Sequence, residues 1–194
     1  MKNILVFTFL FVATLATYSQ ATWTIDRSHS NVRFTVTHLV ISEVEGTFKN
    51  FEGTIAASKP DFTDAVINFT VDVNSINTDN EMRDNHLKND DFFNAEKYPK
   101  MTFKSTSFKQ LKGNKYELIG LLTIRDVTKT VKWNVTYGGT TNDPWGNTKA
   151  GFKASTEINR LDYGLKWNSL TEAGGAVVGS EVTIDLRLEF AKSK

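Results

Sequence analysis

The stretch 182-VTIDLRLEF-190 decides the fold class. Val182, Ile184, Leu186, Leu188 and Phe190 alternate with Thr183, Asp185, Arg187 and Glu189. A period of two places all five apolar side chains on one face of an extended strand. Asp185 and Arg187 require water, so that apolar face turns inward. The same alternation recurs upstream. Ile67, Phe69, Val71 and Val73 alternate with Asn68, Thr70, Asp72 and Asn74, and Val32, Phe34 and Val36 alternate with Arg33, Thr35 and Thr37. Weaker versions cover 44–57, 101–108, 116–124, 131–137 and 151–158. Turn signals at 112-KGN-114, 138-GG-139 and 142-NDP-144 separate several of them. The pattern predicts about eight antiparallel strands, as a sandwich or a closed barrel. Periodicity does not choose between the two.

The chain opens 1-MKNILVFTFLFVATLATYSQA-21, with a basic Lys2, an apolar run from Ile4 to Ala16, and Ser19-Gln20-Ala21 in small-x-small order. This predicts a secretory leader, residues 1–21, cleaved after Ala21, and one mature domain over 22–194, periplasmic or secreted. Cysteine is absent, so disulfides, thiolate metal sites and a lipid-modified cysteine are excluded. Without Lys2, 22 basic side chains face 22 acidic ones. That balance offers no field for nucleic acid.

One segment breaks the strand pattern: 78-TDNEMRDNHLKNDDFFNAEKYPKMTF-103. Thr78 with Glu81 reads as a capping box, and Asp79–Arg83 and Asp84–Lys88 as i,i+4 pairs, over a helix spanning 79–88. Asp84 and His86 are two apart and point in different directions, so no metal site is expected there. Phe92, Phe93 and Tyr98 are expected to pack inward behind it.

Catalytic and nucleotide motifs are missing: no G-x-S-x-G, H-E-x-x-H, P-loop or G-x-G-x-x-G occurs. Asp26, Ser28 and His29 have triad chemistry, but their spacing suits a turn that starts the first strand. His38 follows Val36 in phase and reads as a hydrogen-bonded core histidine. No metal and no cofactor is expected, although His29, His38 and His86 converging on zinc is an option the sequence leaves open. Asn68-Phe-Thr70 and Asn134-Val-Thr136 match the glycosylation pattern but sit within strands.

The chain resembles the YceI-like family, also described as polyisoprenoid-binding. The first block is carried by Trp23, Asp26, His29-Ser30, Val32, Phe34, Val36, His38-Leu39, Gly46 and Phe48. The second is carried by Thr78, Arg83-Asp84, His86-Leu87, Phe92-Phe93 and Tyr98-Pro99. The third is 120-GLLTIRDVTKTV-131, and the last is 158-INRLDYGLKW-167 with 178-VGSEVTIDLRLEF-190. Arg125-Asp126 stands where many members have a glycine.

The resemblance implies an all-β fold: an eight-stranded antiparallel lipocalin-like barrel with a short helix and loop flanking one end. It implies export and binding of a polyisoprenoid or other long-chain amphiphile, with no catalytic residues. On this reading Phe34, Val36, His38, Phe48, Phe69, Val71, Phe103, Trp133, Phe152, Leu186 and Leu188 face the ligand in the lumen. Two other readings stay open. One is a barrel filled by its own side chains, serving a structural or interaction role. The other is a hydrolase of lipid-like substrates using the histidines. A homodimer also remains open.

Overall fold

A computed structural model describes residues 20–170 and 174–193. The expected leader lies outside the described residues except for Gln20 and Ala21. Among the described residues eleven strands run in chain order: β1 (Ala21–Ile25), β2 (Asn31–His38), β3 (Ser42–Phe48), β4 (Phe51–Ala57), β5 (Val66–Asp72), β6 (Ile76–Asn77), β7 (Lys100–Lys112), β8 (Lys115–Ile124), β9 (Val127–Asn142), β10 (Thr148–Asn159) and β11 (Val178–Lys192). One helix, α1 (Glu81–Lys88), follows β6.

The eleven strands make eight staves, because three staves are broken. β1 and β2 lie end to end along one edge of β11, through the pairs Ile25↔Phe190 and Asn31↔Arg187. β3 and β4 continue one another, pairing with β2 and β1. β5 and β6 do the same against β4 and β3. The ring then runs β5–β7–β8–β9–β10–β11 and closes on β1 and β2. Closure leaves no long unpaired edge. The breaks are local chemistry. Asp26 accepts from Ser28 N at 3.1 Å and Asp72 from Asn74 N at 3.0 Å, each turning the chain through one short 3-10 turn.

The inward face of β11 is the one its alternation predicts: Val182, Ile184, Leu186, Leu188 and Phe190 all face the interior. Three phenylalanines lie flat across neighbouring staves, each over a glycine. A Cβ on Gly46 would come within 2.3 Å of the Phe34 ring, on Gly53 within 2.6 Å of Phe69, and on Gly120 within 2.4 Å of Phe103. Glycine is required at these positions by space.

The two ends differ. At the β4–β5 end Phe62 is buried among Trp23, Phe152 and Tyr137, with ring centroids 5.2, 5.3 and 5.6 Å away. Tyr116 Oη anchors this plug by donating to Asp61 O at 2.9 Å. The opposite end carries α1, the 89–99 loop, the β2–β3 turn and the described residues 160–170 and 174–177.

At that end the structure corrects several expectations. Helix α1 begins at Glu81, capped by Asn80, whose side chain accepts from Arg83 N at 2.9 Å; the Thr78–Glu81 box does not form. Asp84 is buried and accepts from Thr78 N at 2.8 Å and Thr78 Oγ1 at 2.6 Å. Among the described residues neither Asp79–Arg83 nor Asp84–Lys88 forms an ion pair. Arg83 turns back onto Thr78 instead, at 2.8 and 2.7 Å. A side chain that reaches a buried backbone group gains more than one held at the surface by a solvated pair.

Candidate functional site

The barrel encloses a cavity of about 190 Å³ with an apolar wall. Every stave contributes. β2 supplies Phe34 and Val36, β3 Phe48, β5 Phe69 and Val71, β7 Phe103, β9 Trp133, β10 Phe152, and β11 Leu186 and Leu188. These ten expected lumen residues are thus brought together on one surface. His38 is not. It ends β2, half-buried, outside the cavity wall, and its imidazole makes no hydrogen bond among the described residues. The core-histidine expectation fails because the β2–β3 turn begins there and the barrel wall ends.

Alternation within the weaker strands also puts Ile55, Met101, Leu118, Leu122 and Val135 on the wall, and Ile67 joins them from the clear β5 run. The sequence marks these strands, but no single residue signals a lumen role. Phe92 and Phe93 reach the cavity from the 89–99 loop, as expected. Tyr98 does not. Its hydroxyl donates to Asp126 Oδ2 at 2.9 Å on the outer rim.

Two arginines fasten the helix-bearing end. Arg160 is 4% exposed and donates to four carbonyls: Gly179 O (2.7 Å), Leu165 O (2.7 Å), Trp167 O (2.8 Å) and Val178 O (3.1 Å). It staples the 164–167 segment to the start of β11, and burial lowers its pKa. Arg125 Nη1 donates to Asp90 O, Phe92 O and Gly164 O, each at 2.9 Å. Nearby Tyr163 is buried, and its hydroxyl pKa is pushed up to about 12. His86 packs edge-on against Phe92 and Trp167 and meets Asp91 Oδ2 at 3.1 Å. The charged cluster of the 78–91 segment therefore builds a cover.

The Asp26-Ser28-His29 group lies on the outer wall. The same His29 atom, Nδ1, lies 3.1 Å from both Ser28 Oγ and Asp26 Oδ2. A triad uses the two ring nitrogens for its two partners, so this geometry has no relay. Asp26, His29 and Glu189 also lie close enough to ligate one ion. However, Lys149 Nζ already sits on them, 2.6 Å from Asp26 Oδ2 and 3.2 Å from Glu189 Oε1. The hydrogen bonds from Lys149 and Ser28 hold the Asp26 carboxyl well below the usual range, and Asp26 in turn raises Lys149. This cluster is a seam tying β1 and β2 to β10 and β11.

A closed eight-stave barrel, a helix-and-loop cover and an apolar lumen are now in place. A family model described as the YceI-like domain matches residues 23–190. The chain belongs to the YceI-like family. It is 34% identical over 173 residues to the UPF0312 protein SA2479 of Staphylococcus aureus strain N315, covering 89% of this chain and 98% of that one. Its structure is similar to BcnA of Burkholderia cenocepacia, with a TM-score of 0.74 and 25% identity over 85% of this chain and 98% of that chain. A Campylobacter jejuni YceI protein gives a TM-score of 0.71 and 31% identity, over 81% and 90% of the two chains. A polyisoprenoid binding domain from Saccharophagus degradans, implicated in plant cell wall breakdown, shares the fold at a TM-score of 0.62 and 17% identity, over 88% and 98%.

Proposed function

We propose that this YceI-like protein is a non-enzymatic carrier or store of a long-chain apolar ligand, a polyisoprenoid or similar amphiphile, in the cell envelope. The observation that carries the reading is the cavity. Close-packed cores avoid such voids, and an empty one of 190 Å³ forgoes about 4–5 kcal/mol at the usual cost per unit volume. Apolar cavities of about 150 Å³ stay dry and bind small hydrocarbons. The cavity favours this reading over a solidly packed barrel in a structural role. The fold shared with the Saccharophagus degradans domain supports the ligand class. The leader expected over residues 1–21 supports the location.

The chemistry of binding is desolvation. Each CH₂-sized group buried gains about 0.8 kcal/mol, so one more or one fewer changes affinity only a few-fold. Such a lumen selects for apolar chain and discriminates weakly by length.

The test is to fill the lumen. Val71→Phe and Leu186→Phe place a ring in space now empty. Both variants should weaken binding of a fluorescent isoprenoid alcohol at least about tenfold, equal to about 1.4 kcal/mol. Thermal stability of the ligand-free protein should stay nearly unchanged. Overpacking a full core costs roughly 1–3 kcal/mol, so unchanged probe binding with a large stability loss in both variants would reject the carrier reading.

A further inference from the structure

The lumen wall is built of carbon, and one hydrogen-bond donor in it has no partner. Of the polar residues that reach the wall, Arg33 and Thr102 are exposed and stand in the outward phase, beside Phe34 and Phe103. Arg160 gives its guanidinium to four carbonyls. Trp133 is different. It lines the cavity at 5% exposure, and its Nε1 is shut from solvent with no acceptor among the described residues. Buried tryptophans ordinarily find a partner for this N–H, because an unpaired one keeps its full desolvation cost. Phenylalanine would fill the same wall without that cost. The Phe103 ring stands edge-on to the indole at 5.9 Å between centroids, and a π face is a weak acceptor at best. Apolar cavities of this size stay dry, so water does not supply one either.

From these observations we infer that Trp133 Nε1–H donates to an oxygen atom of the ligand, held inside the barrel. The indole is a donor only, so the ligand atom is an acceptor: a ketone, ester, ether or hydroxyl oxygen, and not an ammonium or amide N–H. Depth adds a second constraint. Trp133 lies six residues into β9 from Val127, which follows the β8–β9 turn at the helix-bearing end, about 20 Å along the strand. The oxygen therefore sits in the body of the barrel and not at its mouth. Surroundings of low dielectric strengthen such a bond relative to water. The N–H is already desolvated in the empty barrel, so the oxygen gains the bond with no new desolvation of the protein. A hydrocarbon gains nothing there. The lumen thus selects an oxygen-bearing apolar chain over an all-carbon one. The inference rests on the carrier reading and names the ligand chemistry that the lumen would favour.

Two matched probes test it: geranylacetone, an isoprenoid methyl ketone, and the hydrocarbon of the same carbon skeleton. Each competes with a fluorescent isoprenoid alcohol for the delipidated protein. Trp133→Phe keeps an aromatic ring and removes the N–H. It should weaken the ketone about fivefold relative to the hydrocarbon, the size of one hydrogen bond. A second arm uses the wild type alone and needs no variant to fold. The Trp133 indole N–H resonance, assigned through its contacts with the Phe103 ring, should move downfield on saturation with the ketone. With the hydrocarbon it should stay near its position in the empty barrel. Equal weakening of both probes by Trp133→Phe, or an indole resonance indifferent to the ketone, would overturn the inference and leave the carrier reading standing. So would failure of the ketone to compete while the alcohol binds. Failure of every probe to bind the wild type, the alcohol included, would end both readings.

Discussion

Arg125 occupies the two-residue β8–β9 turn with φ at +56°, where glycine would be unstrained. Its guanidinium explains why arginine stands there. Three carbonyls, Asp90 O and Phe92 O from the 89–99 loop and Gly164 O, converge on Nη1, and Asp90 Oδ1 lies 2.8 Å from Nη2. Arg125→Gly relieves at most about 1 kcal/mol of backbone strain but deletes hydrogen bonds to a charged donor. The variant should lose about 1–3 kcal/mol, seen as a lower urea midpoint with an unchanged slope. A more stable variant would show that strain outweighs the contacts. The Asp26–Lys149 seam makes a second prediction. The Asp26 pKa is lowered when folded, so its stabilisation is present above the unfolded value, near 3.9, and is lost as pH falls through the folded one. The Lys149 pKa is raised, so its share is present below the unfolded value and is lost as pH rises through the folded one. The stability gap between wild type and Lys149→Met should therefore be wide at pH 7 and shrink toward pH 2 in urea titrations. A gap independent of pH would assign the role of Lys149 to packing.

At the scale of elements, the glycine–phenylalanine pairs govern how staves approach. Gly46 and Phe34 face each other in register on β3 and β2, and a Cβ at position 46 would also come within 2.9 Å of Thr78 Cγ2. Gly46→Ala should cost about 1–3 kcal/mol by overpacking. In a Phe34→Leu background the same change should cost distinctly less, and a double-mutant cycle would read a coupling of about 0.5–3 kcal/mol. Additive effects would mean that the ring is free to move aside. The strands were legible in the sequence because alternation is a local property, readable within a run such as Ile67–Val73. The breaks in the staves were less so. Residues 44–57 read as one strand because alternation persists across the turn at Lys49–Asn50. Helix α1 was visible in its charge pattern, but its cap was misassigned to Thr78. Choosing Asn80 over Thr78 depends on Asp84 being drawn under the barrel end, a contact with no mark in the local pattern.

At the scale of the molecule, an unfilled lumen makes stability respond to ligand. A probe binding only the folded barrel at one hundred times its Kd adds about 2.7 kcal/mol, which for a domain of this size raises Tm by roughly 5–10 °C. Calorimetry of delipidated protein with and without isoprenoid alcohol should show this rise, and Val71→Phe should reduce it sharply. No rise in the wild type would mean that the cavity does not take this ligand. The alternating runs by themselves determined an antiparallel β fold and the inward faces of Phe34, Phe69, Val71 and Leu186. Each follows from neighbours along the chain, where a period of two and the cost of burying Asp185 or Arg187 leave one arrangement. Tertiary structure alone decided that the staves close into a ring, that Phe62 plugs one end, that His38 falls outside the wall, and that the interior keeps a void. A void is the difference between the volume enclosed by eight staves and the volume of side chains sent in from all of them. No segment of the sequence contains that difference, because it exists only once residues as distant as Asn31 and Arg187 are paired across the seam.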